Sequence, residues 1–248
     1  KTYRDGIELK PADIFRHVSE GGEICSTTAI NTAEYCGVFS ELRKECGALI
    51  HFTIGSGLSS CYQNAVLAAN EVPGVTVVDS MNLTTGIGYL AVAAAKMAAA
   101  GMELEEITAK LEELKAHMDV SFVIDKLDYL KKGGRCSAVT AFGANLLNIK
   151  PSICMKNGTL AVEKKYRGAF RQCVRRYIEE RLDAGKDRCV PDIIFLTHAA
   201  CSEAVLEEAA DLIRSRGIFS EILVTEAGCT VSSHCGPNTL GIIFAVKS

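Results

Sequence analysis

Up to residue 150 the chain alternates short apolar runs with stretches of helical periodicity. Pro11-Ala12-Asp13 opens a first helix to about Ser19, which Gly21-Gly22 ends. A second helix is expected over residues 31–44. Residues 48–54 are apolar and β-branched or aromatic, the make-up of a buried parallel strand, and the turn Gly55-Ser56-Gly57 leads them into a helix to about Ala69. Residues 75–79 repeat the strand pattern. An alanine-rich helix follows over 86–100, then a helix over 103–116 with Ile107, Leu111 and Leu114 on one face. Residues 122–124 read as a short strand, and 125–130 as a helical turn. This succession of strand and helix predicts a parallel sheet covered on both faces.

Beyond Pro151 the rhythm changes. Two strand-like runs, 152–155 and 159–165, flank Asn157-Gly158, a strong hairpin signal because both residues adopt positive φ readily. A long helix then carries Phe170, Cys173, Val174, Tyr177, Ile178 and Arg181 on one stripe. A strand at 193–197, a helix from Ser202 to Gly217, and strands at 221–225 and 240–246 close the chain. The expected fold class is α/β in two domains. Residues 1–150 form an α/β/α parallel-sheet domain and residues 151–248 a two-layer α/β domain with a mixed sheet.

Composition narrows the functional classes. The 248 residues are 48% hydrophobic, enough for a substantial core, and the net charge is only -3. That balance gives no reason to expect nucleic acid or an anionic membrane surface as partner. No run of about 18 apolar residues is present, so no membrane-spanning helix is read. The 11 cysteines form no C-x-x-C pair and sit mostly within apolar runs. They read as small buried hydrophobes in a reducing cytoplasm rather than as zinc ligands or disulfides. The chain begins with Lys1 rather than Met, so a preceding segment is expected.

Three stretches could carry chemistry. At the Gly55-Ser56-Gly57 turn, a strand end meets a helix N-terminus, so backbone N–H groups and the helix dipole would favour an anionic or strongly polar ligand. The same residues read as G-x-G-x-x-S, with Asp79 ending the next strand. That is near a dinucleotide-binding fingerprint and gives the alternative of a Rossmann-like NAD(P)-dependent oxidoreductase, although Ser60 stands where a small residue is wanted. Ser56 and Ser59 fit no G-x-S-x-G frame, and as helix caps they need no ligand at all. Lys131-Lys132-Gly133-Gly134-Arg135 could bind phosphate, but it reads better as a cationic helix end with a left-handed glycine. Residues 231–238 are expected to form a loop. His234 lies there, whereas His17, His51, His117 and His198 sit in helical or strand contexts.

Several stretches, in order along nearly the whole chain, resemble the DegV family of bacterial fatty-acid-binding proteins. Residues 54–65, IGSGLSSCYQNA, resemble its S-S-G-L-S-G-T-Y-Q-x-A motif, and Val78-Asp79-Ser80 its V-I-D-S. LDYLKKGGRCS at 127–137 resembles its Y-L-x-K-G-G-R-I-S, and LNIKP at 147–151 matches directly. Tyr166-Arg167-Gly168 resembles its V-R-G, HCGPNTLG at 234–241 its H-x-G-P-G-A-L-G, and Tyr3-Arg4-Asp5-Gly6 its Y-x-D-G. Gly55, Ser60, Cys61 and Asn238 depart from the family's Ser, Gly, Thr and Gly, and Ala29 and Ile30 from its Gln and Pro. The family's first strand, with D-S-x-x-D, would precede Lys1.

The resemblance implies a non-catalytic cytoplasmic carrier. A long-chain fatty acid would be buried between or within the domains as a bound ligand, with no other cofactor and no metal. Its carboxylate would be presented to a fatty acid kinase as partner. Carried over residue by residue, the ligand-binding candidates are Thr27, Thr28, Ser56, Gly57, Ser59, His234 and Gly236, with Arg167 near the exposed carboxyl end or the partner surface. A carboxylate suits short charge-assisted bonds from such donors. An acyl chain suits an apolar tunnel, at roughly 0.8 kcal/mol for each buried CH₂. A binding module for another anionic lipid or metabolite would rest on the same helix N-terminus.

Overall fold

The computed structural model describes residues 1–137 and 149–247, which are mixed α/β and fall into two compact units. The first gathers Lys1–Thr27, Met118–Lys156 and Leu160–Ser248, and the second Thr28–His117 with Asn157–Thr159. Residues Leu147 and Asn148 of the LNIKP match lie outside the described residues.

The second unit holds a small parallel sheet of β1 (Leu49–Thr53) and β2 (Val75–Asp79), in register from Leu49 opposite Val75 to Thr53 opposite Asp79. Helices α2 (Thr32–Leu42) and α3 (Cys61–Glu71) cover one face, where Tyr35, Phe39, Ala65 and Ala68 pack against Leu49, Val75 and Val77. Asn31 caps α2 by accepting from the Glu34 N–H at 2.9 Å, so the helix starts where a side-chain acceptor is available. Helix α4 (Thr85–Ala99) packs on β1 and on α5 (Leu104–Ala116), with Leu90 and Leu111 fully buried.

The first unit contains α1 (Pro11–Ser19) and a larger mixed sheet in the order β5-β4-β3-β8-β6-β7. Its strands are β3 (Met118–Ile124), β4 (Ile149–Lys156), β5 (Thr159–Arg167), β6 (Ile193–Ala199), β7 (Glu221–Glu226) and β8 (Thr239–Ala245). β6 and β7 are parallel, while β8 runs antiparallel to both β3 and β6. Helices α7 (Phe170–Gly185) and α8 (Glu203–Arg216) bury Cys173, Val174, Tyr177, Ile178, Leu182 and Ile213 against Val123, Leu196, Leu240, Ile242 and Phe244. Tyr177 keeps its hydroxyl satisfied in that core. It shares a 2.8 Å hydrogen bond with Ser121 Oγ and accepts from the Ile242 N–H at 3.2 Å. Two short helices, α6 (Leu127–Gly133) and α9 (Cys229–Cys235), complete the unit.

The sequence pattern places β3 differently. As part of a run of strands and helices it is expected in the parallel sheet, but it joins the mixed sheet, antiparallel to β4 and β8. Its last five residues are buried, so what it pairs with is decided by a strand more than a hundred residues later. For the same reason the expected boundary at Lys150-Pro151 falls inside β4, whose partner β3 lies before it. The Asn157-Gly158 turn forms as read, with φ of 51° and 73°.

Candidate functional site

In the second unit, β1 delivers the chain to Gly55, whose N–H donates to the Asn82 carbonyl at 2.8 Å. The turn is braced by Asp79. Its Oδ1 accepts from the backbone N–H groups of Ser56, at 3.1 Å, and Met81, at 2.9 Å. Of the backbone N–H groups expected to favour an anionic ligand at this turn, that of Ser56 is bound within the protein. Ser59 Oγ accepts from Cys61 N–H at 3.3 Å, a local turn bond just ahead of α3. Ser56 is half-buried, and among the described residues its hydroxyl has no hydrogen-bond partner. Gly57 is exposed, and a Cβ there would lie 2.6 Å from the Gly158 carbonyl oxygen. Its lack of a side chain thus admits the hairpin tip. Thr28 is exposed at the start of the same unit.

The brace also bears on the dinucleotide reading. A ribose-binding acid needs free carboxylate oxygens facing the ligand. One oxygen of Asp79 already holds two backbone amides of its own loop, so this carboxylate has a structural partner set.

In the first unit, Thr27 and His234 meet. Thr27 Oγ1 lies 2.7 Å from His234 Nε2, and both residues are half-buried. His234 is not in a loop, as its neighbours Ser232, Ser233, Gly236 and Pro237 suggest. It sits in the last turn of α9, which ends at Gly236. That seven-residue helix forms because a distant carboxylate caps it. Asp5 Oδ1 and Oδ2 accept from Cys229 N–H and Thr230 N–H, each at 2.7 Å. Burial pushes the Asp5 carboxyl up, but these backbone donors outweigh it and hold the group below its usual range.

Around His234 the packing is tight. A Cβ on Gly133 would overlap His234 Nδ1, and a Cβ on Gly236 would come within 2.6 Å of the Tyr129 ring. Gly236 therefore serves Tyr129 through its missing side chain, and its φ of 76° also suits glycine. Burial drives the His234 imidazole below the ordinary histidine range, and the positive charge of Arg135 pushes the same way. The ring is accordingly neutral near pH 7, with one N–H to donate and one lone pair. Its Nδ1 is buried with no hydrogen-bond partner among the described residues.

Arg167 ends β5 with an exposed side chain, and its carbonyl accepts from Arg176 Nη2 at 2.5 Å. His51 and His198 are packed side chains: His51 stacks edge-on to Tyr35 and Phe39, with ring centroids 5.2 and 5.1 Å away. The cysteines are free thiols. Burial, their largest influence, raises Cys201 and Cys235 to about 12, which leaves them protonated and unreactive. In the KKGGR stretch, Gly134 is the left-handed residue that ends α6, with φ 67°. Gly133 has the further task of making room for His234. Sequence reasoning also missed Asp5, and a small network at the foot of β8. There Lys150 pairs with Asp125 at 2.6 Å, and Asn238 donates to Asp125 at 3.3 Å while holding φ 55°. Asparagine tolerates that conformation, which accounts for its standing in place of glycine. No helix among the described residues is long and apolar enough to cross a membrane.

Comparison with known proteins agrees along the whole chain. The family model described as "Uncharacterised protein, DegV family" matches residues 1–247. A DegV domain-containing protein of Caldanaerobacter subterraneus subsp. tengcongensis is 32% identical over 249 residues, covering 100% of this chain and 88% of its own. Among solved structures, a fatty-acid-binding DegV family protein from Thermus thermophilus is 30% identical with a TM-score of 0.90, covering 99% of this chain and 87% of that one. DegV from Bacillus subtilis, a fatty acid binding protein, is 28% identical with a TM-score of 0.82, covering 100% of this chain and 88% of that one. With a family match from one end to the other and a relative above 30% identity at nearly full coverage, this chain belongs to the DegV family.

Proposed function

We propose that the protein is a non-catalytic carrier that buries a long-chain fatty acid, holds its carboxylate, and presents that carboxylate to a fatty acid kinase in the cytoplasm. The observation that carries the reading is the Thr27–His234 pair, 2.7 Å apart, in a chain 30% identical to a fatty-acid-binding relative of the same fold. A neutral imidazole that donates Nε2–H to Thr27 Oγ1 leaves the threonine O–H free to donate to a carboxylate. Ser56 offers a hydroxyl without a partner among the described residues. It is proposed as a further ligand contact, together with Thr28, Gly57, Ser59 and Gly236, and Arg167 as a contact for the kinase. Such a carrier performs no bond-making step; it supplies donors and an apolar environment, and the chemistry belongs to its partner.

The test is mass spectrometry of ligand extracted from protein purified under native conditions, with a thermal-shift titration of added fatty acids. A stoichiometric C14–C18 acid and a raised melting temperature are expected. An empty extract together with no shift would sink the proposal.

A further inference from the structure

Helices α6 and α9 are locked by two reciprocal glycine–ring contacts. Gly133, the last residue of α6, leaves the space that the His234 ring of α9 fills. Gly236, which ends α9, leaves the space that the Tyr129 ring of α6 fills. Each helix thus contributes one ring and one missing side chain. Tyr129 also packs against Phe15, edge to face at 6.1 Å and 78°. The far end of α9 is pinned by Asp5. A backbone with this many contacts leaves the imidazole little freedom, and its one hydrogen-bonded nitrogen faces Thr27.

We propose that this interlock is the positioning device of the ligand's carboxylate site, with Gly133 and Tyr129 as positioning residues that act through His234. The proposal rests on the fatty-acid reading for what the site holds, but not for the interlock itself. A side chain at 133 would push the ring away from Thr27, and the threonine hydroxyl would lose the N–H that orients its proton outward. Two stretches 100 residues apart in the chain, YLKKGG and HCG, are then one mechanical unit rather than a helix end and a separate loop. Rotating a buried ring out of a packed site is costly, so a methyl at either glycine should strain the unit.

The experiment is a double-mutant cycle on the full chain, Gly133→Ala and His234→Ala alone and together. It reads the dissociation constant for a saturated C16 fatty acid and the ¹⁵N signals of the His234 ring, identified by their loss in His234→Ala. Losing the ring that turns the Thr27 hydroxyl toward the carboxylate should weaken binding roughly tenfold in His234→Ala. Gly133→Ala should weaken it by a similar factor and shift the ring signals, while adding nothing in the His234→Ala background, where the clash is gone. Unchanged affinity and ring signals in Gly133→Ala, or an equal loss in both backgrounds, would overturn the proposal. If Gly133→Ala does not fold, a folded double variant supports the interlock and an unfolded one overturns it. Should the wild-type chain bind no fatty acid, the carrier reading falls, and the ring signals and the folding cycle still decide the interlock separately.

Discussion

The carboxylate of Asp79 accepts from the backbone N–H of Ser56, 23 residues earlier in the chain, and the same oxygen accepts from Met81. This one relationship explains why a Gly/Ser turn and a V-D-S stretch occur together. The strand end at β2 supplies the negative charge that the amides of the neighbouring turn require. In a dinucleotide enzyme the same acid would face outward to a ribose.

Replacing Asp79 by Ala should therefore unsettle the turn rather than abolish a nucleotide site. Two charge-assisted bonds are lost from a half-buried position, a destabilisation of about 2 kcal/mol. Chemical denaturation measures it, and calorimetric titration of the wild-type chain with NAD or NADP should show no heat. Measurable NAD binding that disappears in Asp79→Ala would restore the oxidoreductase reading.

Asp5 makes a separate prediction, because α9 depends on it. Its folded-state pKa is depressed, so its stabilisation is present above the unfolded value, near 3.9, and is lost as pH falls through the folded value. Asp5→Asn keeps the shape and removes the charge. It should cost about 1 kcal/mol at pH 7, the scale of a helix cap on an exposed residue, and progressively less as pH falls through the folded value. Equal denaturation midpoints for variant and wild type at pH 7 would show that α9 forms without this cap.

What could be read from the sequence divides along the reach of the forces involved. The Asn157-Gly158 hairpin and the left-handed Gly134 and Gly217 were legible, because each depends on its own φ. α9 was not legible, because its cap lies 224 residues away. Nor was the pairing of β3, since β8, its antiparallel partner, comes at the end of the chain. Thr27 entered as a candidate through family resemblance alone, whereas His234 was also singled out by an expected loop setting that the structure replaces with the last turn of α9. Nothing in spacing or periodicity brings residues 207 apart to 2.7 Å. Gly133 and Gly236 were visible as glycines, but only the opposing rings reveal what the absent side chains are for.

Three histidines set the response to mild acid. Burial depresses the imidazoles of His51, His198 and His234, aided at His234 by Arg135 and opposed at His198 by Glu226. A ring with a folded pKa below its unfolded value binds fewer protons folded than unfolded. Stability is then full above the unfolded value, about 6.5, and declines as pH falls through it toward the folded value. The urea midpoint should be lower at pH 5.5 than at pH 7.5, with proton uptake on unfolding between these limits. His51→Phe, which keeps the packing against Tyr35 and Phe39, should flatten part of that slope. A midpoint that does not move between the two pH values would contradict the buried, neutral state of these rings.

Two glycine-to-alanine changes in the second unit should have opposite signs. Gly37 lies inside α2, exposed, with nothing within 4 Å of where a Cβ would be. Alanine there removes backbone entropy from the unfolded chain and suits the helix, so Gly37→Ala should stabilise by about 0.5–1 kcal/mol. Gly57 is also exposed, yet its Cβ would stand 2.6 Å from the Gly158 carbonyl and 3.1 Å from Thr159 Cγ2. A backbone oxygen cannot rotate aside like a flexible side chain, so the hairpin tip must move. The strain should cost about 1–3 kcal/mol. Gly57→Ala should also weaken fatty-acid binding if the turn contacts the ligand, whereas Gly37→Ala should leave affinity unchanged. Thermal denaturation with and without fatty acid separates the two effects. A Gly57→Ala variant as stable as wild type and binding as tightly would show that the close approach at Gly158 carries no weight, and would remove Gly57 from the proposed contacts.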